Sequence, residues 1–509
     1  MRHSLIEIMD TTLRDGEQTT GVSFTRSEKL SIFKLLVEEL HVPRVEVTSA
    51  RVSAGEFETV RRICDWAARN GHLDKVEVLG FIDGGASNEW VAATGARCVN
   101  VLCKGSERHC RGQLKKTPKE HVIDTIANIR DARARGLRVN LYLEDWSNGM
   151  KDSPDYVMYF MDRIRSEEIE RFMLPDTLGI LDPYDTFDFV KRMVKTYPEL
   201  RFDFHAHNDY DLAISNLFAA LKVGASGVHC TVNGLGERAG NASLSSAIAV
   251  IHDMLHLKTG IDESKINRVS SIIESYSGVA IPPNKPIIGE YVFTQCAGVH
   301  ADGDSKDNLY SSDLAPERFG RTREYALGKL SGKANIRKNL EALGLELSEE
   351  NIQKVTQRIT ELGDKKEIVT QEDLPFIVAD VVKHGKGEDK IKLINYQLSL
   401  TRGLRPTAIV KVEINGKEYM ESSVGDGQYD AFMKALRKIY KGQRRKDFPV
   451  LTDYMVNIPR GGKTDALVQT TIHWQYHDHM IKTIGLDPDQ TESAIKATLK
   501  MLNIIEEYN

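Results

Sequence analysis

Asp10-Thr11-Thr12-Leu13-Arg14-Asp15-Gly16-Glu17-Gln18 follows an apolar run at residues 5–9, and Asp10, Arg14 and Asp15 place three charges within six residues. An apolar run is how a first β-strand reads, and charge concentrated where it ends reads as a functional loop, because loops at strand ends carry binding and catalytic groups on a rigid scaffold.

Outward from that stretch the same alternation repeats. Strand-like runs lie at 5–9, 44–48, 75–81, 98–103, 138–144, 171–176, 201–207 and 227–233. Helix-period stretches lie between them at 26–40, 56–70, 118–135, 154–165, 183–197 and 212–222, several opened by proline or a capping polar residue. Eight β-then-α units in some 250 residues match a closed (β/α)8 TIM barrel. The alternative, an open doubly wound sheet, calls for a glycine-rich phosphate turn after the first strand, and none is present.

A barrel gathers chemistry from the carboxyl ends of its strands. Strand one offers Asp10, Arg14 and Asp15; strand five Tyr142, Glu144 and Asp145; strand six Asp176 and Thr177; strand seven His205, His207, Asn208 and Asp209; strand eight Asn233, Glu237, Arg238 and Asn241. His205-Ala206-His207 is the sharpest of these, since a spacing of two on a strand sends both imidazoles to one face. Two such histidines with a carboxylate, Asp15, make a divalent-metal site that leaves positions open for a chelating substrate. In Asn233-Gly-Leu-Gly-Glu-Arg-Ala-Gly-Asn241 the glycines let backbone approach a ligand, and Asn241 adds a carbonyl oxygen.

The chain has 509 residues, 41% hydrophobic and 28% charged, with a formal net charge of -5. That is too long for one core and not basic enough for a nucleic-acid footprint. No run approaches the ~18 apolar residues that span a bilayer, and no charged-then-apolar leader precedes the first strand, so a cytoplasmic protein is expected. Six cysteines without a Cys-x-x-Cys pair read as reduced, mostly buried thiols.

Past residue 275 the repeat stops. Ile281-Pro-Pro-Asn-Lys-Pro286 is an extended exit leading to a loop, 294–304, that carries His300; helical stretches follow at 333–342, 348–361 and 370–382. Beyond a polar, glycine-rich hinge at 383–389 the period becomes that of strands, at 391–400, 408–414 and 418–423 with an Asn415-Gly416 hairpin signal, then a helix from Gly425 to about Ile439. Strands at 451–458 and 465–474 and a last helix at 487–502 repeat the unit. The expected organisation is a catalytic barrel at 1–275, a small, mostly helical linker module at 276–385, and a C-terminal α+β regulatory domain at 390–509, with a dimerisation module as its alternative role.

The motifs at 10–18, His205-Ala-His-Asn-Asp209 and Gly234-Leu-Gly-Glu-Arg-Ala-Gly-Asn241 together resemble the isopropylmalate, homocitrate and citramalate synthase family, metal-dependent TIM-barrel enzymes that condense acetyl-CoA with a 2-oxo acid. The finer match, through 142–149, 175–179, 299–304 and 461–466, is to the pyruvate-using citramalate branch, with 2-isopropylmalate synthase as the runner-up. The resemblance implies a divalent ion (Mn2+, Mg2+, Zn2+ or Co2+) on Asp15, His205, His207 and Asn241. It implies Arg14 on the keto group, Thr177 on the oxo-acid carboxylate, Glu144 in acid/base catalysis with His300 assisting, and Tyr310 among the substrate-binding residues. The resemblance further implies that Leu79, Leu102 and Tyr142 line a small apolar pocket suited to a methyl-sized tail. In the LeuA-type C-terminal domain it implies an effector at Tyr429, Asp430, Leu451, Tyr454, Ile458, Thr464 and Val468, isoleucine if pyruvate is the substrate and leucine if 2-oxoisovalerate is, and a homodimer.

Overall fold

Strand residues that alternate between valine-like and polar side chains must bury one face against helices and turn the other inward, and a parallel sheet does this by closing. The computed structural model describes residues 5–304, 309, 311–364, 369, 371, 374–383, 390–442, 448–457, 468–477, 479–487 and 489–508. Its first eight strands are β1 (Glu7–Asp10), β2 (Arg44–Ser49), β3 (Val76–Phe81), β4 (Cys98–Lys104), β5 (Arg138–Glu144), β6 (Arg171–Asp176), β7 (Phe202–Ala206) and β8 (Gly227–Cys230). They pair in parallel, each with the next, and β8 closes on β1 through Asp10 and Cys230. The expected barrel is thus observed, and the open sheet is not. Strand eight ends sooner than its sequence suggests: after Cys230 the chain turns, and Asn233 takes φ 62.

Outward residues such as Val45, Val47, Val99, Val101, Leu141 and Phe204 are fully or almost fully buried in one core beneath the helices. Helix starts match their local signals. Thr25 and Glu28 form a capping box on Arg26–Lys34, Thr117 and Glu120 another on Pro118–Ala134, and Asp182 caps Pro183–Thr196. Five further helices of the barrel unit lie outside the stretches named from the sequence: Ala86–Thr94, Glu107–Gly112, Trp146–Asp152, Leu244–Ala249 and Ile266–Ser277.

Inward residues are unusually polar. At the amino-terminal floor Arg44 donates to Glu77 (Nε–Oε1 2.6 Å) and to Asp203 (Nη1–Oδ2 2.5 Å), and Arg171 donates to Asp203 at 2.6 Å. Asn140 adds a bond to Glu77 and one to Asn100. Each buried charge there has an opposite charge in direct contact, which is the condition under which buried ions are tolerated.

The described residues fall into two compact units, Met1–Thr294 with Ser311–Glu324, and Gln295–Tyr310 with Tyr325–Asn509. Arg318 holds its segment in the first unit by bonds to Glu263 and Asp253. In the second unit, helices Lys333–Ala342, Glu349–Asp364 and Leu374–Lys383 share a core that includes Ile336, Leu340, Val355 and Ile359. Strands Ile391–Ser399, Thr407–Ile414 and Lys417–Val424 form an antiparallel sheet followed by helix Gln428–Gly442; Val450–Asn457, Val468–Tyr476 and His479–Asp487 form a second, followed by helix Gln490–Tyr508. The first hairpin turns at Asn415 (φ 50) and Gly416 (φ 78), both left-handed as the Asn-Gly signal requires. The second three-stranded sheet includes one strand, His479–Asp487, that the sequence reading lacks. All six cysteines are free, five buried and Cys296 exposed. Among the described residues no helix is long and apolar enough to cross a membrane.

Candidate active site

The loop after β1 is a tight turn: Asp15 N and Gly16 N both donate to Thr11 O. Buried Asp10 accepts from Thr12 N and Thr12 Oγ1, and Val232 N donates to Thr12 Oγ1, stapling this loop to the one after β8. Burial pushes the Asp10 carboxyl up to about 7 against those bonds from Thr12, so Asp10 serves the turn. The turn aims Arg14 and Asp15 into the barrel mouth. Arg14 Nε donates to Glu46 Oε2 at 2.6 Å, its Nη2 donates to the Tyr142 hydroxyl at 3.3 Å, and its Nη1 lies 3.3 Å from Asp15 Oδ1.

From β7, His205 and the adjoining His207 point the same way, and their ligand atoms and that of Asp15 lie within 4.8 Å of one another, all three residues buried. His205 Nε2 is 3.3 Å from Asp15 Oδ2. Burial alone would raise the Asp15 carboxyl, but Arg14 and the two imidazoles outweigh it and hold it well below the usual range. Burial, then the neighbouring His205, pushes His207 down to about 4, so it is a neutral imidazole near pH 7. Asn241 pairs with His207 across a backbone bridge, flanked by bonds from Asn208 N to Gly240 O and from Ala242 N to Ala206 O. The loop can fold this tightly because residue 236 has no side chain: at φ +154 a Cβ there would stand 2.2 Å from Asn241 Nδ2.

Both oxygens of Asp15, Nδ1 of His205, Nδ1 of His207 and Oδ1 of Asn241 are buried without a hydrogen bond. Each such orphan costs about 1–3 kcal/mol. Two imidazoles and a carboxylate converging within 4.8 Å, with an amide oxygen on the loop bridged to His207, fit a divalent cation.

Beside this group lies a small apolar cluster separate from the outer core: Met9, Leu79, Tyr142 and Met173, with Leu102 packed against them. Leu102 pairs with Tyr142, and Tyr142 with Met173, across β4, β5 and β6, so the three stand side by side in the lumen. The Tyr142 ring centroid is 6.0 Å from that of His205. Glu144, at the end of β5, is ion-paired with Lys104 at the end of β4. Thr177 Oγ1 accepts from Asp145 N at 2.9 Å, which leaves its own O–H free to donate to a ligand. Arg238 grips both Asp209 oxygens and donates to Thr177 O, tying together the loops after β6, β7 and β8.

Arg14, Asp15, Leu79, Leu102, Tyr142, Glu144, Thr177, His205, His207 and Asn241 thus all lie at or near the carboxyl ends of the barrel strands. His300 belongs to the second unit, exposed on helix Gly298–Asp304, and Tyr310 lies outside the described residues. Of the regulatory set, the Tyr429 and Tyr454 rings meet at a tilt with centroids 5.6 Å apart, Asp430 pairs with Lys434, and Leu451 and Tyr454 pack on the domain core. Val468 is buried, and Ile458 and Thr464 lie outside the described residues. The sequence reading missed Glu46, Asn100, Lys104 and His229. Glu46 is fully buried and takes bonds from Arg14, Thr11 and Asn100. Its one signal was a carboxylate in the middle of a valine-rich strand.

A family model described as HMGL-like matches residues 5–273, a homocitrate synthase post-HMGL domain-like model 287–367, and a LeuA allosteric (dimerisation) domain model 368–506. An (R)-citramalate synthase of Methanocaldococcus jannaschii is 32% identical over 98% of this chain and 99% of its own length. The chain belongs to the isopropylmalate, homocitrate and citramalate synthase family. A 2-isopropylmalate synthase of the same organism is also 32% identical, over 98% of this chain and 94% of that protein, and one from Neisseria meningitidis is 32% identical over 98% and 96%. Two relatives of one organism with different names stand equally near this member of the family, so overall likeness does not select its oxo acid.

Proposed function

We propose that this synthase condenses acetyl-CoA with pyruvate and hydrolyses the thioester to give (R)-citramalate and CoA, the first step of a route to isoleucine. The observation that carries the choice of pyruvate is the apolar cluster of Leu79, Leu102 and Tyr142, closed by Met9 and Met173 beside Asp15, His205 and His207. A longer tail gains about 0.8 kcal/mol per buried methylene only where space exists. The Tyr142 and Met173 side chains packed against Leu79 and Leu102 make a short pocket the better reading.

Asp15, His205, His207 and Asn241 hold a divalent ion, which supplies Lewis-acid polarisation of the keto group when bound. Of Arg14's five N–H donors, Glu46 and Tyr142 engage two and Nη1 faces Asp15, and one of the remainder serves the keto oxygen. Thr177 donates its free hydroxyl to the oxo-acid carboxylate. Glu144 takes the proton from the acetyl methyl, the adjacent Lys104 holding its carboxylate in place, and the carbanion adds to the keto carbon. His300 assists from the linker of the same or a partner subunit in a homodimer. The C-terminal domain binds isoleucine at Tyr429, Asp430, Leu451, Tyr454, Ile458, Thr464 and Val468 as feedback inhibitor.

The test is CoA release from acetyl-CoA with pyruvate, 2-oxobutyrate, 2-oxoisovalerate, 2-oxoglutarate or oxaloacetate, with and without EDTA. Pyruvate is expected to win and the chelator to abolish turnover. Preference for 2-oxoisovalerate overturns the pocket argument and makes the chain a 2-isopropylmalate synthase, with leucine as effector.

A further inference from the structure

One buried line of polar contacts joins the pocket wall to the barrel floor, and the condensation chemistry does not use its lower half, His229 and Asp203. The Tyr142 hydroxyl lies 3.3 Å from Arg14 Nη2 and 3.0 Å from His229 Nδ1. His229 Nε2 faces Asp203 Oδ2 across 3.6 Å. Both His229 and Asp203 are buried, and Asp203 is fixed in turn by Arg44 and Arg171.

The direction of each contact follows from what each group can donate. Arg14 only donates, so the tyrosine oxygen accepts from it. On the far side of the ring the Asp203 carboxylate, 3.6 Å from Nε2 and too far for a hydrogen bond, favours the ring proton there electrostatically, which makes His229 Nδ1 the acceptor for the single O–H of Tyr142. The ring proton is left on Nε2, turned toward the Asp203 carboxylate. The floor therefore selects the tautomer, and the tautomer selects where the tyrosine hydroxyl points. The His229 ring also meets the Tyr142 ring edge-on at 5.4 Å.

We propose that His229 is a positioning residue for substrate size: by accepting from the Tyr142 hydroxyl it pins the ring upright against Leu102 and Met173 and keeps the oxo-acid pocket short. A tyrosine held at its hydroxyl from two sides cannot swing about its two side-chain torsions. Remove the acceptor, and a buried O–H without a partner tilts toward another one, lengthening the pocket by the space the ring leaves. The proposal rests on the reading that Leu79, Leu102 and Tyr142 enclose the oxo-acid tail.

The test compares kcat/KM for pyruvate and 2-oxobutyrate, by CoA release, in His229→Leu and His229→Gln, each with Tyr142 intact and in a Tyr142→Phe background. Loss of one neutral hydrogen bond predicts that His229→Leu lowers the pyruvate preference about fivefold. His229→Gln, which keeps an acceptor and a donor, restores most of it. In the Tyr142→Phe background neither substitution changes the ratio further. Tyr142→Phe alone gives the same loss as His229→Leu, so the prediction survives if His229→Leu fails to fold. An unchanged ratio in His229→Leu with only a lower melting temperature overturns the proposal, as does an equal change in both backgrounds. A wild-type preference for 2-oxoisovalerate defeats the pyruvate reading, while the coupling between positions 142 and 229 is still measured from the ratio of two oxo acids.

Discussion

The two ends of the barrel interior are both buried and both polar, but they are finished differently. At the floor, Arg44, Arg171, Glu77 and Asp203 touch partners of opposite charge at 2.5–2.6 Å. At the mouth, Asp15, His205, His207 and Asn241 present acceptor atoms without a hydrogen bond among the described residues, Asp15 being met only by ion contacts from Arg14 and His205 at 3.3 Å. A polar cluster that satisfies itself is structural, whereas Asp15, His205 and His207, with ligand atoms within 4.8 Å of one another and acceptors left open, are arranged as a ligand site would be. The floor should therefore answer to mutation in stability, and the mouth in activity.

The largest effect expected is at the mouth. His207→Gln should cut CoA release on the order of 10³-fold, while its denaturation midpoint stays within about 1 kcal/mol of the parent. A loss of folding comparable to the loss of turnover would erase the distinction between the two ends.

The floor gives the converse result. Arg44→Met strands Glu77 and Asp203 without their shared cation and should cost about 3–5 kcal/mol in urea unfolding. A stability within 1 kcal/mol of the parent, an estimate of ordinary surface-mutation scale, would mean that the network is not structural.

Glu46 sharpens the contrast because it stands between the two ends, bonded to Arg14 above and Asn100 beside it. Glu46→Gln should lower kcat/KM about 10–100-fold through a misplaced Arg14, read from steady-state CoA release. An unchanged kcat/KM would return Glu46 to the floor.

The smallest effect is on pH dependence. Burial, against the pull of Asp203, pushes His229 down to about 4, while an unfolded histidine titrates near 6.5. Between those values the unfolded chain binds a proton that the folded chain refuses, so stability is lost as pH falls through that window and is regained as it rises. His229→Gln should flatten the slope of unfolding free energy against pH by up to about 1.4 kcal/mol per unit. An unaltered slope would place the titrating group elsewhere.

Much of this was legible in the sequence because a parallel barrel writes its burial into runs of valine, leucine and phenylalanine and its chemistry into the charges that follow them. Asp15, His205 and His207 stand at such ends, and all eight strands were found. Glu46, Asn100 and His229 were missed because they sit inside the runs. A polar residue pointing into a barrel lumen differs by one position from an apolar residue pointing at a helix, and only the closed register tells which partner each will meet. Lys104 was missed because nothing local says that it lies across from Glu144 until β4 and β5 are paired. The strand His479–Asp487 escaped for another reason. It is joined to Val468–Tyr476 by a tight turn at His477 with φ 51, without the glycine that marks most hairpins.

The central claim is that the open acceptors at the mouth hold a divalent cation. The direct measurement is equilibrium dialysis of the chelator-treated chain against Mn2+, for the parent, His205→Ala and His207→Ala. One ion per chain in the parent, with affinity at least about tenfold weaker in each variant, is the predicted result. Equal Mn2+ binding by all three would contradict it.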